Sequence, residues 1–296
     1  MHRLANRRGI ASLVGAMACL VVNDTLMKHV GTTMSLPQLV LVRGCMAVLM
    51  VLMVAHLMGA TPRLGQVLDP RVATRAMVDA AGTLLYLASL MHLPIANATA
   101  INLSAPLIVI VFAVLFMRER ASVQRWLAVG AGFAGVLLVI QPRDDGFTAY
   151  AFLCLAGTMF QAGRELLTRR IDPNVPSILV ALASVGCVTA AAAVLTPLQG
   201  WRPVTASELG LLALAAALLG TGYYLVVTGM RQGEISLVAP FRYSALLVAV
   251  FMGYAVWGEM PNAIAWSGIL LLLVSGIHLV HTSAGNAPEA RAENLR

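Results

Sequence analysis

Charge is what this sequence has least of. Only 11% of its 296 residues are charged, where a soluble domain carries about 25%. So few charges cannot solvate the surface of a soluble domain of this length, which argues against an ordinary soluble enzyme or binding module. Lysine is almost missing: the twenty basic residues are 19 arginines and one lysine, Lys28. Aromatics make up 6%. The four cysteines (Cys19, Cys45, Cys154 and Cys187) lie inside apolar runs without a C-x-x-C spacing. They read as small packing residues, not as a disulfide framework or a thiolate metal site. Also missing are H-E-x-x-H, G-x-x-x-x-G-K-[ST], G-x-S-x-G and any paired acidic metal motif on the cytoplasmic side, Asp144-Asp145 falling in an outer loop as solvated turn residues. An integral membrane enzyme therefore stays a remote alternative, and no catalytic residue or cofactor is expected.

Apolar residues are what is abundant. They make up 59% of the chain, and the mean hydropathy is +0.83. These values place the chain in the integral membrane class. A spanning helix needs roughly 20 apolar residues. Runs and breaks predict an all-α fold of ten spans, near 10–30, 36–58, 74–92, 97–117, 126–141, 148–168, 175–197, 208–230, 235–256 and 263–281. The formal charge of +7 does not point to nucleic acid, because the basic residues punctuate apolar runs and form no single patch. Arg3, Arg7 and Arg8 before an apolar run, with Ala16-Met17-Ala18, resemble a signal peptide. An uncleaved first span is preferred, since the repeat described below needs that helix.

The loops are unequal in basic residues. Arg3, Arg7, Arg8, Arg63, Arg71, Arg75, Arg118, Arg120, Arg125, Arg169, Arg170, Arg231, Arg291 and Arg296 fall on one side, against Arg143 and Arg202 on the other. The positive-inside rule then puts both termini in the cytoplasm of a multi-pass protein of a bacterial inner membrane. The remaining four basic residues, Lys28, Arg43, Arg164 and Arg242, fall within spans.

The chain also repeats itself. "GTLLYLASL" at 82–90 matches "GTGYYLVVT" at 220–228, pairing Tyr86 with Tyr224 at an offset of 138. Glu119 and Trp126 match Glu259 and Trp266 at an offset of 140, and Gly44-Cys45 matches Gly186-Cys187 at 142. A near-constant offset close to half the length predicts two five-helix repeats, 8–142 and 147–283, followed by a disordered cytoplasmic tail, 284–296. Five is odd, so the second repeat enters the membrane inverted. Inverted repeats are an architecture of secondary transporters, with the substrate site between the halves near the midplane.

Two stretches carry a family resemblance. "SAPLIVIVFAVLFMRERASVQRWLAVGAGFAGVLLV" (104–139) and "VAPFRYSALLVAVFMGYAVWGEMPNAIAWSGILLLLVSG" (238–276) resemble the signature of the drug/metabolite transporter superfamily, EamA type. The pattern is a Pro in span four, a Glu at its end, a Trp or Gly opening span five, and a Gly-rich span five. The resemblance covers residues 8–283. It implies ten spans, a central cavity, and secondary transport of a small polar organic metabolite. Export of an amino acid or amino-acid-derived compound, metallophore-type metabolites included, is the favoured reading. Import of a metabolite such as S-adenosylmethionine or riboflavin is the alternative. Protons or a counter-substrate would drive it, membrane lipid surrounds it, and the protein would be a monomer or homodimer.

The polar residues inside the spans locate the candidate site. A charge at bilayer centre costs about 2.5–3.5 kcal/mol on insertion scales, so each needs a partner or water. "VVNDTLMKHV" (21–30) places Asp24 in span one at the depth of Arg43 in span two. Lys28 shares a helix face with Asp24 and can also snorkel to the outer interface. Asp24 is therefore expected to be neutralised by Arg43 or Lys28, as a packing ion pair, a substrate contact or a proton carrier. A second charged group, Asp79, Arg164, Glu165 and Arg242, lies toward the opposite face, as the second gate of an alternating-access cavity would. Tyr86, Asn102, Gln161, Tyr224 and Tyr243 are candidate cavity-lining groups, near Pro106 and Pro240. Gly130, Gly132 and Gly135 read as a small-residue packing face, within or between subunits. The pair His278 and His281 is not read as a metal site.

Overall fold

The computed structural model describes residues 2–117, 122–141, 146–232 and 235–285. Glu119, Asp144, Asp145, Arg143 and the tail residues 286–296 lie outside them. Every described element is helical. In chain order these are α1 (His2–Val30), α2 (Leu36–Leu57), α3 (Pro70–Leu90), α4 (Ile95–Asn102), α5 (Ala105–Met117), α6 (Val123–Ile140) and α7 (Gly146–Thr168). They continue with α8 (Ser177–Gln199), α9 (Ala206–Gln232), α10 (Ile235–Val238), α11 (Ser244–Trp257) and α12 (Ala263–Gly285). Single 3₁₀ segments run over Thr61–Leu68 and Ala239–Tyr243.

Local sequence chooses the ends. Pro70 opens α3 at a position that needs no N–H, and the Asp69 carboxylate caps it by accepting from the Arg71 backbone N–H at 2.8 Å. Ser122 caps α6 in the same way through Arg125. The helix therefore opens three residues before Trp126, which the sequence had suggested as its boundary. Gly258 ends α11 in the left-handed region, φ 66°, where glycine carries no steric penalty. Residues 284 and 285, expected in a disordered tail, complete α12.

Among the described residues, seven helical stretches are long and apolar enough to cross a membrane: Asn6–Val30, Leu36–Leu57, Ile95–Met117, Val123–Ile140, Ser177–Gln199, Ala206–Met230 and Ala239–Trp257. The chain is thus an all-α membrane protein. The apolar part of α12, Ala263–Leu279, is shorter. Helices α3 and α7 fall outside this set, and their charged side chains meet each other. The expected fourth and ninth spans are each interrupted. The fourth breaks at Leu103-Ser104 between α4 and α5, and the ninth passes from α10 through the 3₁₀ segment into α11.

Packing is pairwise. The most extensive pairs are α1 with α9, α3 with α7, α6 with α12, and α2 with α8. Further contacts join α3 to α8, α2 to α9, α1 to α11, α5 to α7 and α4 to α11. Close approach depends on glycine. A Cβ on Gly268 would lie 2.6 Å from the Gly135 carbonyl oxygen, and one on Gly135 would lie 2.7 Å from that of Gly268. The α6–α12 crossing therefore tolerates no side chain at either position, as in small-residue membrane interfaces. The glycine face of α6 thus packs within the chain at Gly135, and at Gly132 against Leu107. The α3–α7 crossing is similar, with Gly82 and Gly157 each facing the other's carbonyl.

Candidate functional site

Helix α3 carries two polar networks on one face. Asp79 and Tyr86 are seven residues apart, about 10 Å along the axis, and i,i+7 positions share a face. The glycine crossing at Gly82 holds α7 against the stretch between them.

The first network joins α1, α2 and α3. The Tyr86 phenol donates to Asp24 Oδ2 at 2.8 Å, and the Asn23 side-chain amide donates to Asp24 Oδ1 at 2.9 Å. Arg43 Nη1 in turn donates to Asn23 Oδ1 at 3.1 Å. Asn23, Arg43 and Tyr86 are all buried. Arg43 is positioned by its neighbour Gly44, which lies directly under Thr189 of α8. An amide thus stands between acid and guanidinium, so the expected Asp24–Arg43 pairing runs through Asn23. The Arg43 Nε is enclosed and makes no hydrogen bond to a described residue.

The second network joins α3, α7 and α8. Arg164 Nη1 donates to Asp79 Oδ1 at 2.8 Å, and Arg75 Nη1 lies 3.6 Å from Asp79 Oδ2. Arg75 also donates to Ser184 Oγ and, at 3.1 Å, to Thr168 Oγ1. Both arginines are held within the protein, where snorkelling would have carried them to water. Glu165 is half-buried and forms no ion pair with a described residue. Arg242, in the 3₁₀ segment before α11, is half-buried and joins neither network.

Lys28 does not pair with Asp24. One turn further along α1, its ammonium reaches Glu259 at 3.0 and 3.2 Å and donates to the Leu93 carbonyl at 2.8 Å. The Trp257 ring lies 4.6 Å below it, within cation–π range. Snorkelling is also excluded, because the residue is 7% exposed. The result is a tie between the end of α1, the α3–α4 connection and the α11–α12 loop. Nearby, Glu208 receives Arg202 and Thr33, and Gln38 donates to the Arg202 carbonyl, which fastens α2 and α9 to the loop after α8.

The neutral candidates separate. Asn102 ends α4 with its Oδ1 enclosed and unpartnered among the described residues. Gln161 lies across the α3–α7 crossing beside Gly82. The Tyr243 phenol packs directly over Gly276 of α12, so this residue serves packing. Tyr224 is 70% exposed and makes no polar contact with a described residue. Its neighbour Tyr223 is 52% exposed and within electrostatic reach of Arg43, Arg75 and Arg164. Sequence reasoning had not singled out Asn23, Glu259 or Tyr223 as site candidates. Glu259 was findable as an acid closing an apolar span on the side where Lys28 ends.

Chemically, the arrangement offers a buried acid, a guanidinium with an unused donor, amides and phenols, all between helices. Such groups are expensive in a bilayer and mark solute or ion pathways. A helical membrane protein with a polar interior of this kind belongs to the class of transporters. The comparisons give the family. The EamA-like transporter family matches at 7–141 and again at 148–280, and the chain belongs to it. The chain is 24% identical to the pseudopaline exporter CntI of Pseudomonas aeruginosa, over 94% of this chain and 98% of that one. It is 28% identical to a riboflavin transporter of Rhizobium johnstonii, over 71% and 70%. It is 22% identical to an S-adenosylmethionine uptake transporter of Rickettsia bellii, over 64% and 65%. A solved crystal structure, 18% identical, superposes with a TM-score of 0.59 over 93% of this chain and 98% of that one, which shows a shared fold. The chain is a metabolite transporter of the drug/metabolite transporter type, and not an enzyme.

Proposed function

We propose that the protein moves a small zwitterionic metabolite, an amino acid or amino-acid-derived compound, out of the cell by alternating access between two inverted five-helix halves. The carrying observation is the pair of buried networks on α3, one centred on Asp24 and Arg43, the other on Asp79 and Arg164. A solute between them meets both signs of charge. The ammonium of such a solute would face Asp24, its carboxylate the free Arg43 Nε–H, and Tyr223 would line the path.

Packing supports the inverted halves. If α1 corresponds to α7 and α3 to α9, the α1–α9 pair maps onto α3–α7, and α1–α11 maps onto α5–α7. The pairs α2–α8 and α6–α12 map onto themselves. The double family match at 7–141 and 148–280 supports the same division. The two interrupted spans are related by an offset of 140, Ser104-Ala105 with Ser244-Ala245, and broken helices at equivalent positions point to a transporter's binding site. In this reading ten spans cross a bacterial inner membrane with both termini cytoplasmic. Asp24, Asp79 and Glu165 are the candidate proton carriers. The whole-length likeness to an exporter of a metallophore supports export; the riboflavin and S-adenosylmethionine transporters represent the alternative cargo.

Comparative metabolite profiling of cells with the gene, without it, and with Asp24→Asn tests the proposal. Accumulation of an amino-acid-derived compound inside both deficient strains supports it. Loss of uptake of a flavin or nucleoside-like compound, with amino compounds unchanged, overturns both cargo and direction.

A further inference from the structure

A groove of about 530 Å³ runs between α3, α5 and α7, separate from both charge networks. Its floor is one face of α7: Ala156, Met159 and Phe160, Gly163, Leu166 and Leu167, then Arg170 just past the helix end. The spacing is helical, so these residues form a continuous stripe. Phe112 and Phe116 of α5 form one wall, edge to face at 5.5 Å, and Val78 of α3 forms the other. Gly163 opens the middle, since a Cβ there would meet nothing closer than Val78 Cγ1 at 3.8 Å. Phe116, Met159 and Phe160 are strongly exposed.

We propose that this groove is a binding site for one anionic phospholipid, with an acyl chain along the α7 stripe and the phosphate on Arg170. Three observations favour that occupant over undifferentiated annular lipid. Among the described residues the groove is apolar along its length and cationic at one end, which matches the polarity of an anionic lipid. From Ala156 to Arg170 is fourteen residues, about 21 Å, comparable with the depth of one leaflet plus its headgroup in a hydrocarbon core about 30 Å thick. The Arg170 side chain is exposed at the boundary and makes no hydrogen bond to a described residue, so it is available to a phosphate; its backbone N–H donates to the Leu167 carbonyl and its own carbonyl accepts from Arg71. Basic groups at the ends of interhelical clefts recognise anionic headgroups in this way. A lipid seated here fills the seam between α5 and the α3–α7 pair. Val78 in the wall adjoins Asp79, so occupancy braces the helices that carry the Asp79–Arg164 pair.

Native mass spectrometry of the purified full chain, titrated with phosphatidylglycerol or phosphatidylcholine, is the test. The wild type is expected to retain one phosphatidylglycerol per chain at least fivefold more strongly than phosphatidylcholine. Arg170→Gln should abolish that preference, leaving weak binding of both. Gly163→Leu should lower retention of both, because it fills the groove where the backbone has room for a Cβ. Gly163→Ala, the smaller change, covers the case in which leucine impairs folding and should give a partial loss. Equal retention of the two lipids by the wild type overturns the proposal, as does an unchanged preference in Arg170→Gln. If the groove is instead a side entrance for cargo, Gly163→Leu lowers transport while lipid retention stays as in the wild type, which also overturns it. Lipid retention is read without any transport assay, so the result stands apart from the identity of the cargo.

Discussion

Replacing Glu259 by methionine should damage the fold more than replacing its partner Lys28, although the two share one ion pair. Burial makes the difference. The Lys28 side chain is 9% exposed and that of Glu259 29%. Removing one partner from a buried pair costs about 3–5 kcal/mol, because the other charge is left unmatched. In Glu259→Met the stranded charge is the buried ammonium. It keeps the Leu93 carbonyl and the Trp257 ring, and a cation–π contact is worth about 0.5–2 kcal/mol, so the expected loss falls to about 2–3 kcal/mol. In Lys28→Met the stranded charge is a carboxylate with access to water, and the Leu93 carbonyl loses its donor, which costs about 1–2 kcal/mol. The double variant replaces the pair with apolar groups of similar volume. That exchange is often neutral or stabilising, so the double variant should be more stable than Glu259→Met alone. The cycle should give a coupling energy of about 1–3 kcal/mol. Unfolding from detergent micelles by SDS titration, followed by far-UV circular dichroism, measures all four proteins. Equal losses in the two single variants, or a double variant that loses their sum, would refute the argument.

Three further outcomes follow from the geometry. Tyr86→Phe removes only the hydroxyl that Asp24 accepts from; it should cost about 1–2 kcal/mol and reduce transport in proteoliposomes, whereas Tyr224→Phe, at an exposed phenol, should change stability by less than about 0.5 kcal/mol. Asp79→Ala leaves Arg164 and Arg75 without their shared acid and should lower the melting temperature in detergent more than Arg75→Gln, which keeps the 2.8 Å Arg164–Asp79 contact; equal shifts would contradict this. Gly268→Leu forces a side chain against the Gly135 carbonyl and should cost more than about 2 kcal/mol by overpacking, while Gly130→Ala, facing open space, should be neutral in the same melt.

The positions of most helices along the chain were legible in the sequence, and azimuth was not. Apolar runs of about 20 residues placed the helices to within a few positions, because a bilayer admits few other solutions. Matching depths brought Asp24 toward Arg43, but nothing in the sequence linked either to Tyr86. The face each side chain takes depends on rotation about the helix axis, which the pattern leaves open in a helix apolar nearly all round. The sequence therefore allowed Lys28 either Asp24 at i,i+4 or the outer interface, while its partner lies 231 residues away. Consecutive residues on a helix point about 100° apart, so Tyr223 and Tyr224, 52% and 70% exposed, take different faces of α9. The breaks in the fourth and ninth spans were foreshadowed by Pro106 and Pro240. Pro106 itself sits in the first turn of α5, where its missing N–H removes no intrahelical bond.

Comparing equivalent positions in the proposed halves separates scaffold from chemistry. At the offset of 138, Tyr86 corresponds to Tyr224 and Asp79 to Ala217; at 142, Asp24 corresponds to Leu166 and Arg43 to Val185. The helix pairings repeat, and each crossing has its own close glycines, Gly82 and Gly157 between α3 and α7, Gly222 and Gly229 between α1 and α9. The charges do not. A crossing needs a small residue in both halves, since the same helices must approach equally closely in each. A small solute with one acid and one amine has no such symmetry, so one half suffices to read it. The acid, amide and guanidinium of the Asp24 network all come from α1 and α2, and its phenol comes from α3. The second half contributes Arg164 through α7 and Tyr223 through α9. Specificity for the cargo should thus follow substitutions in the first three helices, while substitutions at the close glycines of either crossing, Gly82 and Gly157 or Gly222 and Gly229, alter stability.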